Sequence, residues 1–282
     1  MKVVHVGSIP IGQTHPLVLI AGPCVIESEE LVLRVADDVK TIAERLGIPY
    51  IFKSSYLKDN RSKATTYQGP GLEAGLKILE KVKKEVGVPV LSDVHDQHDV
   101  PVAAEVLDVI QIPAYLSMQT SLTLAVGKTG KPVNVKKGQF LDPGDVRNII
   151  GKLEETGNRQ ILLTERGSCF GYHNLVVDLR SLQTMRETGY PVVIDPTHAI
   201  RIYGISSSDS RGGAPHFVPA LSRGAVAAGV DAVFIETHPN CSEALCDAAS
   251  MWPLNLLEKL LNQLKTIDEM VRSMERIELS YD

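Results

Sequence analysis

Eight short apolar runs punctuate the chain, and between them apolar positions recur at helical spacing. The runs are LVLIA (17–21), YIFK (50–53), VPVLSD (88–93), DVIQI (108–112), PVNVKK (132–137), QILLTE (160–165), PVVIDP (191–196) and DAVFIE (231–236). Runs this apolar need cover on both faces, which is the pattern of a parallel sheet. The stretches between them predict helices over about 27–46, 71–87, 97–106, 119–129, 143–156 and 178–188, with one more after each of the last two runs. Eight strands alternating with eight helices predict an α/β fold, a (β/α)8 TIM barrel, rather than an open doubly wound sheet. A dinucleotide-binding fold would need Gly-x-Gly-x-x-Gly after an early strand, and none is there. The leading KVVHVGSIPIG alternates around a Gly-Ser turn and predicts an N-terminal β-hairpin outside the repeat. The expected organisation is a single catalytic barrel domain over 1–282, with the hairpin in 1–16 and the barrel in 17–282.

Composition narrows the function classes. With 282 residues, 44% of them hydrophobic, the chain can bury a large core. A net charge of −5 argues against a general nucleic-acid or anionic-membrane binder, so small molecules are the expected partners. No run approaches the ~18 apolar residues that span a bilayer, and the N-terminus lacks the apolar core of a signal peptide. Cys24, Cys169, Cys241 and Cys246 have no framework spacing and read as reduced thiols of a cytoplasmic protein.

In such a barrel, chemistry collects at the C-terminal ends of the strands. The first run is followed by Cys24, and the second delivers Lys53, Lys58, Asn60, Arg61 and Ser62. The third delivers Asp93 and His95, the fourth Gln111, and the fifth Asn134, Lys136 and Lys137. Arg166 follows the sixth, Asp195 and His198 the seventh, and Glu236 and His238 the eighth, with Asp247 further along. One subset is cationic (Lys53, Lys58, Arg61, Lys136, Arg166) and suits a phosphate or carboxylate substrate. Either of Lys136 and Lys137 alone also fits a solvated loop charge.

A second subset, Cys24, His198, Glu236 and Asp247, mixes thiolate, imidazole and carboxylate. That mixture suits a divalent metal ion such as Zn²⁺, Fe²⁺ or Mn²⁺. The first, seventh and eighth strands become neighbours when a barrel closes, so these groups can meet. Spacing alone leaves Cys24 open between ligand and packing residue. Cys241 and Cys246 read as small packing residues.

The stretches IAGPCVIES, FKSSYLKDNRS, IQIPAYLSMQT, VNVKKGQF, LTERGSCFGYHNLVVD, DPTHAI and VFIETHP…CDAAS resemble the 3-deoxy-D-manno-octulosonate 8-phosphate synthases over essentially the whole chain. The related heptulosonate 7-phosphate synthases typically carry a Lys-Pro-Arg-Thr type motif, and KDNRS here resembles the octulosonate side. The resemblance implies condensation of phosphoenolpyruvate with D-arabinose 5-phosphate, a step toward lipopolysaccharide precursors, by a homotetramer. Cys24 in the AGPC motif places the chain with the metal-dependent class, whose ligands carry over to Cys24, His198, Glu236 and Asp247. Lys53, Lys58, Gln111, Lys136 and Arg166 would then face phosphoenolpyruvate, and Asn60, Arg61 and Ser62 the aldose phosphate. Lys136, His198, Asp247, Asn60 and His95 are the candidate catalytic residues, with Glu236 a further proton relay.

The chain departs from that pattern in three places. Met118 stands where the resembled family usually has an arginine reaching a neighbour's aldose phosphate, TYQG with Gln68 replaces SFRG, and NRSK replaces NRSS. These departures keep a synthase for another phosphorylated aldose, such as a heptulosonate 7-phosphate synthase, as the alternative. The stretch 206–215 (SSSDSRGGAP) reads equally as a lid carrying Arg211 or as a plain loop.

Overall fold

The computed structural model describes residues 1–12, 14–61, 65–169, 174–206 and 209–275. Strands β1 (Val4–Val6) and β2 (Ile9–Ile11) pair antiparallel about Gly7, whose φ of 58° is the left-handed conformation a tight turn asks of glycine. The repeat follows, with β3 (Val18–Gly22), β4 (Tyr50–Lys53), β5 (Val90–Asp93), β6 (Val109–Ile112), β7 (Val133–Lys136) and β8 (Ile161–Glu165). A small antiparallel ribbon, β9 (Ser168–Cys169) and β10 (Leu175–Val176), interrupts it before β11 (Val192–Ile194), β12 (Ala232–His238) and the two-residue β13 (Trp252–Pro253). Each of the eight long strands pairs in parallel with its neighbour in sequence, and β12 pairs with both β11 and β3, which closes the barrel.

Helices wrap the outside: α1 (Glu29–Leu46), α2 (Leu72–Lys81), α3 (Val100–Val106), α4 (Thr120–Lys128), α5 (Val146–Glu155), α6 (Leu179–Arg186), the short α7 (Pro196–Ala199), α8 (Val218–Ala227) and α9 (Leu257–Ser273). The first shows why they form where they do. The Ser28 side chain caps its N-terminus by accepting from Leu31 N–H, Glu29 and Glu30 occupy the first turn, and Gly47 ends it in the left-handed conformation. Its buried residues, Val32, Val35, Ala36, Val39 and Ala43, fall at the three- and four-residue spacing of one helical face.

Alternation along the strands makes two cores. Outward residues such as Leu19, Phe52, Val133 and Leu163 pack under the helices. Inward residues Val18, Ile20, Ile51, Leu91, Val109, Leu162, Val193, Ala232 and Phe234 fill the barrel, and Val4, Val6 and Ile11 of the hairpin pack onto them. Backbone bonds from Lys2 to Gly189 and from His5 to the Gln160 side chain fix the hairpin at the N-terminal ends of the strands. Each such buried aliphatic or aromatic side chain contributes about 1.5–3 kcal/mol through removal from water. Among the described residues no helix is long and apolar enough to cross a membrane.

Candidate active site and metal centre

Two positions beyond the apolar filling, the same inward face turns charged. Ile51 is followed by Lys53, Leu91 by Asp93, Val109 by Gln111, Val193 by Asp195 and Phe234 by Glu236, all buried. Register aligns them around the barrel, with Asp93 opposite Gln111, Gln111 opposite Asn134 and Glu236 opposite Gly22. Under this layer Thr164 donates to Asn134, and Asn134 donates to Gln111 across 3.0 Å, so the buried amides are paired. Gly22 has no alternative, since a Cβ there would stand 2.1 Å from the Lys53 carbonyl oxygen.

The cations converge on a cavity of about 450 Å³ walled by Lys58, Asn60, Arg61, Tyr115, Arg166, His198, Arg201, Tyr203 and Asp247 among others, with a smaller pocket behind it reaching Lys53, Asp93, Gln111 and Lys136. Lys53 Nζ donates to Cys24 O at 2.9 Å and to Ser55 Oγ and Glu236 Oε1 at 3.0 Å. Burial disfavours its ammonium, yet Glu236 holds its pKa above the ordinary lysine value. Lys58, 2.9 Å from Cys24 Sγ and 3.6 Å from Asp247 Oδ2, is held well above that value against the same burial. For Lys136 burial wins, and its pKa is lowered despite the ion pair with Asp195. Its ammonium also lies 3.5 Å from the centroid of the Phe234 ring, a cation–π contact.

The metal-type donors meet among these same cations, with Lys53 on Glu236 and Lys58 beside Cys24 and Asp247. His198 Nε2 lies 3.5 Å from Glu236 Oε2 and 3.7 Å from Asp247 Oδ2, and Cys24 Sγ lies 3.5 Å from the same Asp247 oxygen. The donor atoms of His198, Glu236 and Asp247 fall within 4.8 Å of one another, close enough for one ion. Burial resists ionisation of both carboxylates, but His198, Lys58 and Lys53 bring Glu236 down to about 2, and Lys58 and Arg201 hold Asp247 far below the usual carboxylate range. Burial also pushes the Cys24 thiol well up and the His198 imidazolium down. Asp247 is the single non-glycine residue with positive φ among the described residues, at 49°. Such a conformation costs on the order of 1–3 kcal/mol and here aims the carboxylate into the site.

A barrel mouth that gathers cations beside a thiol–imidazole–carboxylate cluster narrows the kinship, and the comparisons agree with it. The DAHP synthetase I family model matches residues 2–273. The chain belongs to the DAHP synthetase I family. It is 53% identical over 264 residues to a protein of Acidithiobacillus ferrooxidans, covering 94% of each chain, and 54% identical over 271 residues to one of Trichlorobacter lovleyi, covering 96% of this chain and 99% of the other. A protein of Thioalkalivibrio sulfidiphilus is 50% identical over 278 residues, covering 99% and 98%. All three are named 2-dehydro-3-deoxyphosphooctonate aldolase.

In this member of the DAHP synthetase I family the strand-end Asp195 orients His198, and Arg201, Tyr203 and Gln139 join as groups that strand-end spacing did not single out. Asp195 accepts from His198 N–H and lies 2.7 Å from His198 Nδ1, so the ring turns Nε2 toward the carboxylates. Arg201 pairs with Asp247, and Tyr203 accepts from Arg166 Nη1 and from Gln139 Nε2. Lys137 is no solvated loop charge. It is fully buried, donating to Ser168 Oγ at 2.9 Å and lying 3.7 Å from Glu165, whose carboxylate accepts from the N–H groups of Arg166 and Gly167. Cys246 is not a bystander either, because its sulfur lies 2.9 Å from that of Cys24. Cys241 packs at the edge of the same buried cluster, its sulfur facing backbone carbonyls.

His95 sits behind Asp93, at 2.9 Å, rather than on the cavity wall, and Arg211 turns to Asp209 in solvent. Ser62, Lys63 and part of the 206–215 stretch (Ser207 and Ser208) lie outside the described residues. The buried Nε atoms of Arg61 and Arg201 have no hydrogen-bond partner among the described residues.

Proposed function

We propose that this chain condenses phosphoenolpyruvate with D-arabinose 5-phosphate and water to 3-deoxy-D-manno-octulosonate 8-phosphate, releasing phosphate. The observation that carries the reading is the meeting at one barrel mouth of Lys53, Lys136 and Arg166 with Cys24, His198, Glu236 and Asp247. The names of its relatives point to the same product.

In this reading Lys53, Lys58, Gln111, Lys136 and Arg166 bind the phosphate and carboxylate of phosphoenolpyruvate. Fixed cations in a largely dry site hold such an anion without reorganising during the reaction. Asn60, Arg61 and Ser62 receive the aldose phosphate. Carbon 3 of phosphoenolpyruvate then joins the aldehyde carbon, water captures the cation left at carbon 2, and the hemiketal phosphate breaks to ketone and phosphate. The aldehyde oxygen needs a proton, and Lys136, whose ammonium is weakened by burial, is placed to supply it. Asp247 carries away the proton of the attacking water, His198 is held in place beside it by Asp195, Asn60 orients the aldose, and His95 acts through Asp93 as a positioning residue.

The donor set Cys24, His198, Glu236 and Asp247 fits a borderline divalent ion such as Zn²⁺, Fe²⁺ or Mn²⁺, with Nε2 of His198 turned to it. Such an ion supplies Lewis acidity beside the cavity and lowers the pKa of bound water. We read the whole chain as one catalytic domain working in the cytoplasm as a homotetramer. The exposed Tyr115, Met118 and Phe140 beside the mouth supply apolar surface for neighbouring copies.

Phosphate release from phosphoenolpyruvate is measured with arabinose 5-phosphate and with erythrose 4-phosphate, before and after a chelator. The reading requires turnover with the pentose phosphate that chelation removes and a divalent ion restores. Preference for the tetrose would sink it in favour of a heptulosonate 7-phosphate synthase, the reading that Met118 and Gln68 favour.

A further inference from the structure

Cys24 follows the first barrel strand and Cys246 lies in the turn after the last, yet their sulfurs are 2.9 Å apart and both side chains are buried. Neither sulfur is isolated from charge. Lys58 Nζ stands 2.9 Å from Cys24 Sγ, and Arg61 Nη1 stands 2.6 Å from Cys246 Sγ, cations that favour a thiolate against the burial that holds the Cys24 thiol up and the Asp247 carboxylate 3.5 Å away. Lys58, Arg61 and Asp247 also wall the 450 Å³ cavity, so a small oxidant entering the mouth arrives beside the pair. Cys246 sits in an irregular segment, between the turn Cys241–Glu243 and β13, where the backbone can adjust to bring the sulfurs together.

We propose that Cys24 and Cys246 are an oxidisable dithiol whose disulfide withdraws Cys24 from the metal donors. Two S–H bonds break and one S–S bond forms. The two electrons and two protons pass to a peroxide, which for hydrogen peroxide is reduced to two molecules of water. A sulfur held in the disulfide is no longer the thiolate that binds metal, so the same atom serves either the ion or the oxidised pair. The disulfide stands on the geometry alone, whereas the loss of metal rests on the four-donor reading above. Cys169, exposed and outside the cluster in which Cys24 and Cys246 pack, acts as an internal standard.

The test uses the whole chain loaded with zinc and titrated with hydrogen peroxide. Non-reducing peptide mapping reads the cross-link, and a chromogenic chelator reads released zinc. The expected result is a peptide joining Cys24 to Cys246, zinc affinity lower by on the order of 10–100-fold, and recovery of both on adding dithiothreitol and zinc. Cys246→Ser, which keeps all four donors, is expected to form no such cross-link and to hold its zinc at doses that strip the parent chain. Oxidation confined to Cys169, or a Cys24–Cys246 cross-link that leaves zinc bound at full affinity, overturns the proposal. A cross-link in a chain that never bound zinc would uphold the dithiol and overturn the four-donor reading instead.

Discussion

The two ends of this barrel are built from the same strands and follow opposite rules. At the N-terminal end the inward residues are Val18, Ile51, Leu91, Val109, Leu162 and Val193, closed over by Val4, Val6 and Ile11. One inward step nearer the C-terminal end they are Lys53, Asp93, Gln111, Lys136, Asp195 and Glu236. The floor is held by burial of apolar surface, which tolerates imprecise direction. The mouth is held by ion pairs and hydrogen bonds, in which a lost partner leaves a buried charge alone. The difference teaches where stability and chemistry are separable in one short strand.

Four experiments break or sharpen that division. The largest effect belongs to the floor: Leu162→Ala removes a fully buried side chain and is expected to cost about 2–5 kcal/mol in urea unfolding while leaving the KM for phosphoenolpyruvate unchanged. A KM shift in that variant would mean that the two ends are coupled. At the mouth, Arg166→Met removes a cation bonded to Tyr203 rather than to a buried carboxylate. It should lower kcat/KM by about 10²–10³ with little change in the unfolding midpoint, and a variant as active as the parent would remove Arg166 from the site.

Asp195→Asn keeps the shape but weakens the hold on His198 Nδ1. Metal affinity should fall by about 10–100-fold in competition with a chelator, and unchanged affinity would detach Asp195 from the donor cluster. The smallest effect lies outside both ends, where Glu154 meets Lys2 at 2.8 Å and accepts from Tyr190. Hydrogen bonds from Lys2 and Tyr190 hold the Glu154 carboxyl below its usual value. Its contribution is therefore present above the unfolded pKa and lost as pH falls through the folded one. Glu154→Gln should cost less than about 1 kcal/mol at neutral pH, a gap that closes on acidification, and a gap independent of pH would refute the assignment.

Most of the architecture was legible because period-2 and helical spacing are physical demands of burial. All eight barrel strands and the leading hairpin fall on the apolar runs. The two-residue strands β9, β10 and β13 and the single turn of α7 are too short to carry a period, and no run announced them. Strand-end position likewise brought Lys53, Arg166, His198 and Glu236 to one mouth. It missed Cys246, since nothing in a linear spacing encodes a backbone turned back through φ 49° at the next residue. It missed Arg201 because the segment after α7 has no periodic pattern. The alternative of a solvated charge stayed open for Lys137 because a charge suggests solvent, whereas alternation from the inward Lys136 turns it outward into a buried position.

The pairing of β12 with β3 has a consequence for the chain's birth. Cys24 leaves the ribosome early and Asp247 more than two hundred residues later, so a nascent chain carries isolated donors for most of its synthesis. Only when the eighth strand docks beside the first do those donors become neighbours. On the four-donor reading proposed above, tight capture of an ion is thereby postponed until the barrel is whole, and a partial chain lacks the full donor set.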